Sequence, residues 1–297
     1  MTDSFYFMKD LTHINTKLLA LIGHPIKQSY SPFIHNAAFE IKKLDYIYLP
    51  FDVTKSNLKS ALKGMSILGV KGFNVTIPHK ENILDMLNTV SEEASIIGAV
   101  NTVVNDHGEF NGYNTDVYGV TETLAPYKKD ISGSVVSLVG AGGAARSALY
   151  SIIRNYKPKK IYLINRNEQK AESLKNYFSE KIKFDFVQTK ELFPPDLVEI
   201  FQSSKLIINA TPVGMFPEKD DSITNLGESF KKGQIVFDVV YNPVKTKFLK
   251  LAQKQGAEIL DGLSMLIYQA AKSFELWTGE EMPQEQVRNS IKYFLEN

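Results

Sequence analysis

The chain has 297 residues, 43% hydrophobic and 23% charged, with a formal net charge of +1. That length predicts two domains rather than one, and the near-neutral charge, with no basic stripe of interleaved aromatics, argues against a nucleic-acid partner. The chain has no cysteine, which excludes disulfides, thiolate metal sites and a cysteine nucleophile, and no apolar run is long enough to span a membrane.

The opening stretch, MTDSFYFMKDLTHINTK, carries acidic residues and no small-residue cleavage pattern. It reads as a short extension before the first strand rather than a signal peptide, and a cytoplasmic protein is expected. KLLALIG (17–23) has the apolar character of a buried strand, ended by Gly-His-Pro. SPFIHNAAFEIKKL then opens on Ser31-Pro32, a good cap and first-turn pair, and shows helical spacing. YIYLPFDV predicts a strand, NLKSALKGMSILG a helix closed by Gly69, and VKGFNVTI a strand broken at Pro78. A helix is expected after Pro78, through about Leu87. AVNTVVNDHGEFNGYNTD reads as two strands joined by a turn at His107-Gly108.

A second series starts near residue 116. SVVSLVG, KKIYLIN, KFDFVQ, KLIINAT and QIVFDVV predict strands, with GAARSALYSIIRN and EQKAESLKNYF as helices between the first of them. This alternation argues for a parallel sheet covered by helices on both faces. The last 35 or so residues form two helices. The expected fold is α/β, with an N-terminal α/β substrate domain and a Rossmann-type doubly wound nucleotide domain. The C-terminal helices are expected to pack back on the substrate domain. Boundaries follow at 1–115 plus 268–297 for the substrate domain and 116–267 for the nucleotide domain.

VVSLVGAGGAARSALY places Gly140, Gly142 and Ala145 as G-x-G-x-x-A between a strand and a helix. Gly140 permits a tight turn, Gly142 lets backbone approach a pyrophosphate, and Ala145 allows close helix–strand packing, while the helix start favours the anion. The plainer alternative is a sharp turn that binds nothing. At the tip of the next strand an NAD site usually has an acid, which accepts from the ribose 2′-hydroxyl and repels a 2′-phosphate. Here the tip is Asn165-Arg166-Asn167, with Lys170 further on and an acid only at Glu168. Arg166 favours NADP, Glu168 argues for NAD, and both basic residues have a rival role as a solvated corner.

All five histidines lie within the first 107 residues, and all four arginines lie after residue 140. The second half therefore has no catalytic histidine to offer, and the first half no arginine clamp. Proton transfer beside a reacting oxygen calls for His, Tyr or Lys. GFNVTIPHKEN offers His79 and Lys80 equally by chemistry alone, with Asn74 and Thr76 beside them. GHPIKQSYSP, GAVNT and NTD are further polar clusters capping strands, where ligands gather in open α/β folds.

GHPIKQSYSP, NVTIPHK, GAVNT, GYNTDVYG, VGAGGAARS, INRN, INATPVGM, YNPVKTKFL and DGLSMLIYQAAKSFELWTG occur in this order. Together, over about residues 17 to 295, they resemble the shikimate dehydrogenase family, whose members reduce 3-dehydroshikimate to shikimate with NADPH on the route to chorismate and the aromatic amino acids. The resemblance implies Lys80 and Asp116 as a catalytic pair, Lys80 moving the proton and Asp116 orienting substrate and lysine. It implies Ser29 and Ser31 at the substrate carboxylate, and Thr76, Asn101, Tyr241 and Gln269 at the ring hydroxyls, with Asn74 a weaker candidate.

On the cofactor side it implies Gly140, Ala141, Gly142, Gly143 and Ala144 at the pyrophosphate. Asn165, Arg166, Asn167 and Lys170 would meet the adenosine phosphate, and Val239, Gly262 and Met265 would flank the nicotinamide. Ser31 also has a reading as a helix cap, and Met265 as core packing. Asn167 stands where many NADP-using members have Thr, and Glu168 where NAD-using quinate/shikimate relatives carry an acid, so NAD remains the alternative cofactor. The Ser-x-Ser pair is the usual shikimate form.

The expected partner is a small-molecule substrate, with no nucleic acid and no membrane, for a monomer or homodimer. Two rival functions are an NAD(P)-dependent quinate/shikimate dehydrogenase and a non-catalytic ligand sensor on the same fold. The sensor should lack the proton-handling pair, yet Lys80 and Asp116 are both present. Metal-dependent hydrolysis fails for want of an H-E-x-x-H motif or a ligand-spaced acid/His cluster.

Overall fold

The computed structural model describes residues 13–26 and 29–296. Most of the N-terminal extension, and Lys27 and Gln28 of the GHPIKQSYSP motif, lie outside the described residues. The chain divides into two compact units. The first comprises residues up to Ser91, Val100–Tyr113 and the chain from Ala270 onward; the second comprises Glu92–Ala99 and Asn114–Gln269.

In chain order the first half carries β1 (Lys17–Gly23), α1 (Ser31–Lys42), β2 (Tyr46–Asp52), α2 (Leu58–Ile67), β3 (Gly72–Val75), β4 (Thr89–Val90), α3 (Glu92–Ile97), β5 (Thr102–Asp106) and β6 (Glu109–Tyr113). Its strands form one mixed sheet in the order β2-β1-β3-β5-β6-β4. β1 is central and apolar because parallel neighbours, β2 and β3, flank it on both sides. β5 and β6 pair antiparallel around His107 and Gly108, whose φ angles of 51° and 98° make the mirror-image turn that matches strand twist.

The rest of the chain adds α4 (Asp116–Leu124), α5 (Lys128–Ile131), β7 (Val135–Val139), α6 (Gly143–Ser151), β8 (Lys160–Asn165), α7 (Glu168–Ile182) and β9 (Val187–Glu191). These are followed by α8 (Pro194–Ser203), β10 (Leu206–Asn209), β11 (Ile235–Asp238), α9 (Lys247–Lys254), β12 (Glu258–Leu260), α10 (Gly262–Thr278) and α11 (Gln284–Glu296). The second sheet runs β12-β11-β10-β7-β8-β9, every pair parallel. This is the doubly wound order, with the direction of winding reversing between β7 and β10.

Alternate side chains supply its two faces. Leu138, Leu163, Ile208 and Phe237 enter one buried cluster, and Val139, Ile164, Ile207 and Val236 the other. Each fully buried aliphatic or aromatic side chain contributes roughly 1.5–3 kcal/mol, so polar intruders must be bonded. Ser137 of β7 meets that condition through Ser204, 2.8 Å away.

Three local features differ from the sequence expectation. No regular helix follows Pro78; turns lead to a 3₁₀ segment at Leu84–Met86. The Asn82 amide there donates to the Pro78 carbonyl at 2.8 Å, competing for an acceptor that a helix would use. Helix α1 starts at Ser31 with Tyr30 in the cap position and no side-chain cap. Helices α8 and α9 and the short strands β4 and β12 are further elements that the sequence expectation did not include, although the buried residues of both helices recur at helical spacing.

Candidate active site

In the first unit, the loop leaving β3 and the strand entering β5 are tied together. The Val75 amide donates to the Asn101 carbonyl at 2.8 Å, and the Val100 amide to the Lys80 carbonyl at 2.8 Å. These bonds gather Thr76, Lys80 and Asn101 at one end of the sheet; Lys80 and Thr76 are half-buried and Asn101 is buried. Ser29 and Ser31 touch each other. The Ser29 hydroxyl donates to Ser31 Oγ at 3.2 Å and accepts the Ser31 amide at 3.2 Å. Ser31 thus enters its helix with the amide held by Ser29, and its hydroxyl does not cap the helix.

His79 and Asn74 are drawn inward. The buried His79 ring shares a proton with the Val53 carbonyl from Nε2 at 2.6 Å, so Nε2 carries the hydrogen. A carbonyl cannot donate, so this imidazole nitrogen is committed to a structural contact. The Asn74 carboxamide accepts from Tyr48 Oη at 2.7 Å and donates to the Asn101 carbonyl at 3.0 Å. It also donates to Thr102 Oγ1 at 3.0 Å and Ser273 Oγ at 3.2 Å. With its polar atoms engaged inside the unit, Asn74 reads as scaffold.

In the second unit, Asp116 is buried as the first residue of α4. Asn114 organises that helix start: its Oδ1 accepts from the Val117 amide at 3.3 Å and from Ser147 Oγ at 3.1 Å, while its Nδ2 donates to the Ala99 carbonyl at 2.9 Å. Thr115 Oγ1 donates to Gln269 Oε1 at 3.3 Å, and Gln269 Nε2 to the Leu266 carbonyl at 3.0 Å. Gln269 is therefore fixed beside the Asp116 helix start. Tyr241 lies half-buried just past the end of β11.

The glycine loop lies where winding reverses. Gly140 has φ 120°, and a β-carbon there would lie 2.7 Å from the Ala210 carbonyl at the end of β10. A β-carbon on Gly142 would meet nothing within 4 Å, so backbone faces open space where α6 begins. Helix α6 has no side-chain cap and no acid in its first turn, which leaves its amide groups and positive end for an anion. Ala141, Gly143 and Ala144 line this start, and Ala145 is fully buried. Gly262 begins α10 directly on the Val239 backbone, with a β-carbon position 2.4 Å from the Val239 carbonyl. Met265 is buried in the core beneath the sheet, against Gly119 of α4.

At the tip of β8 the Asn165 amide donates to the Asn167 carbonyl at 2.8 Å. Asn167 caps α7, its Oδ1 accepting the Lys170 amide at 3.1 Å. The side chains of Arg166, Glu168 and Lys170 are exposed, and among the described residues no ion pair joins Arg166 to Glu168. Glu168 occupies the first turn of α7, where the helix dipole itself favours an acid. Among the described residues no His, Asp and Glu cluster is arranged to hold a metal ion, and no helix is long and apolar enough to cross a membrane.

A profile described as "Shikimate dehydrogenase substrate binding domain" matches residues 21–103, and one described as "Shikimate 5'-dehydrogenase C-terminal domain" matches residues 262–292. A curated relative from Caldanaerobacter subterraneus subsp. tengcongensis, named shikimate dehydrogenase (NADP(+)), is 43% identical over 93% of this chain and 97% of its own length. The chain belongs to the shikimate dehydrogenase family.

Solved structures of the family superpose on it closely. A shikimate dehydrogenase crystallised with NADP+ gives a TM-score of 0.86 at 40% identity, covering 94% of this chain and 96% of its own. The shikimate 5-dehydrogenase of Listeria monocytogenes, solved with shikimate and NAD, gives 0.83 at 36% identity, covering 94% and 97%. The fold expected from the sequence, α/β with a doubly wound nucleotide unit, is the fold of this family. Sequence reasoning passed over Asn114, Asn209 and Asp238, which hold the site's loops. The only signal for them is a short polar residue at the end of an apolar strand, a pattern shared with ordinary turns.

Proposed function

We infer that this chain is a shikimate dehydrogenase, catalysing the reversible NADPH-dependent reduction of 3-dehydroshikimate to shikimate. The observation that carries this reading is family membership along nearly the whole chain, with the family's polar motifs present in order. The second unit fits a dinucleotide on its own geometry. It offers an open backbone approach at Gly142, an uncapped helix start and an exposed Arg166 at the β8 tip.

Bound in the second unit, NADPH would supply the hydride that reduces the substrate's C3 carbonyl. The backbone of residues 140–144 would hold the pyrophosphate, and Arg166 with Lys170 would hold the 2′-phosphate through charge-assisted contacts. Asn167 and Glu168 have structural reasons for their places, as cap and first-turn acid of α7. That weakens Glu168 as an argument for NAD and supports NADP. Val239, Gly262 and Met265 shape the nicotinamide end.

Ser29 and Ser31 take the substrate carboxylate with hydroxyl donors, since the first half of the chain contains no arginine. Thr76, Asn101, Tyr241 and Gln269 read the ring hydroxyls, and a matched hydroxyl set rejects deoxy analogues. The Lys80 ammonium donates a proton to the carbonyl oxygen as hydride arrives at carbon, and recovers it in the reverse direction. Asp116 takes the orienting role that the family resemblance implies for it. Loss of a proton-handling group costs roughly 10²–10⁴-fold in rate. Lys80→Ala should therefore lower kcat for shikimate by about that factor while titration still detects shikimate binding. A variant with near wild-type kcat sinks the assignment.

A further inference from the structure

Asp238 ends β11, is fully buried, and has no place in the chemistry above. Burying a carboxylate is costly unless donors surround it, and among the described residues no Lys, Arg or His pairs with this one. Its donors come from three different segments. Oδ1 accepts the Val240 amide at 3.0 Å and Asn209 Nδ2, from the end of β10, at 2.9 Å. Oδ2 accepts Thr246 Oγ1 at 2.6 Å, and Thr246 caps α9 through the Leu249 amide. Burial raises the carboxyl to about 7, and these three bonds oppose that rise.

The segments held this way are the exits of two adjacent strands at the end of the sheet where ligands bind. Asn209 passes the constraint on, its Oδ1 accepting both the Thr211 amide at 2.9 Å and Thr211 Oγ1 at 2.7 Å. The Ala210 carbonyl lies against Gly140, and the Val239 carbonyl against Gly262. One carboxylate thus sets the backbone on both sides of the path from the glycine loop to the start of α10. A core position needs no charge for packing alone, and an apolar side chain would avoid the burial cost.

We propose that Asp238 is a positioning residue for the nicotinamide end of the cofactor, clasping the exits of β10 and β11 so that Thr211 and Val239 are held for it. The proposal rests on the reading of the second unit as an NADP site. Adenosine 2′,5′-bisphosphate carries the 2′-phosphate but no nicotinamide, so it separates the two ideas. Binding of NADPH and of this fragment is measured by calorimetric titration for the wild type, Asp238→Asn, Thr246→Val and Thr246→Ser, with thermal denaturation of each.

Hydrogen bonds to a charged group set the scale. Asp238→Asn should weaken NADPH roughly 10-fold or more and lower kcat, with fragment binding within about twofold of wild type. Thr246→Val should do the same to a smaller degree, and Thr246→Ser, which keeps the hydroxyl, should restore NADPH binding. Equal loss of both ligands makes Asp238 merely structural and overturns the proposal, as does unchanged NADPH binding in both Asp238→Asn and Thr246→Val. If Asp238→Asn does not fold, the Thr246 pair decides by the same comparison. A wild-type protein that binds neither ligand overturns the NADP reading itself, and the proposal with it.

Discussion

His35 in α1 should make the first unit acid-sensitive, and the size of the effect follows from its surroundings. The ring is fully buried, stacked on Tyr48 at 4.5 Å and tilted against Trp277 at 5.1 Å between centroids. Neither ring nitrogen closes a hydrogen bond. Burial pushes its pKa from 6.5 down to about 3, with the Asn74 carboxamide pulling weakly the other way. In the unfolded chain the same imidazole titrates near its ordinary value. Between the two values the unfolded state holds a proton that the folded state does not, so stability falls as pH drops. The contribution is complete above about pH 6.5 and is lost progressively down to about pH 3.

The loss from this residue amounts to about 2 kcal/mol at pH 5 and about 4 kcal/mol at pH 3. Trp277 is the chain's one tryptophan and its indole donates to the Val103 carbonyl at 2.9 Å, so its fluorescence reports the first unit. Urea unfolding at about pH 7.5 and pH 5 is compared for wild type and His35→Phe. Phe keeps the aromatic stack and removes the titrating group, and other groups cancel in the comparison. Wild type should lose about 2 kcal/mol more than His35→Phe between the two conditions. Equal losses in the two proteins would show that the ring is not held neutral by burial.

Three further outcomes are expected from the second unit. Arg166→Gln should raise KM for NADPH by roughly 10–100-fold with KM for NADH nearly unchanged, because only the former has a 2′-phosphate to lose. Glu168→Gln should leave the NADPH/NADH preference within about twofold if the acid serves the start of α7; a large swing toward NADPH in steady-state kinetics would return it to the ribose. Gly140→Ala forces a φ of 120° on a residue with a β-carbon and sets that carbon 2.7 Å from the Ala210 carbonyl. It should cost at least about 1–3 kcal/mol in thermal or urea unfolding and weaken NADPH in titration, and wild-type values in both would refute the close approach.

Much of this protein was legible in one dimension because its signals are local. Apolar strands bounded by glycine or proline, and the glycine loop between a strand and a helix, arise from backbone sterics and burial within a dozen residues. The parallel sense of the second sheet followed from alternation, while its strand order and its sixth strand, β12, came from the structure. Cofactor type was half legible. Arg166 and Glu168 stand two positions apart, and the sequence favoured NADP through Arg166 while leaving Glu168 as an argument for NAD. Structure weighs them through Asn167, whose cap on the Lys170 amide makes Glu168 a first-turn residue.

Other assignments depended on which hydrogen-bond partners long-range folding delivers. His79 and Lys80 are neighbours and equal in chemistry, yet Val53, 26 residues away, takes the imidazole. Asn74 looked like a ligand until Tyr48 and Ser273 arrived at its carboxamide from positions 26 and 199 residues distant. Asp238 reads as one more acid at a strand end until β10 and α9 surround it. Sequence by itself determined most of the strands, the glycine loop and the residue types available to each half. Only the tertiary structure decided that His79, Asn74 and Asp238 are engaged in holding the scaffold, because a hydrogen bond needs its partner within about 3 Å whatever the separation along the chain.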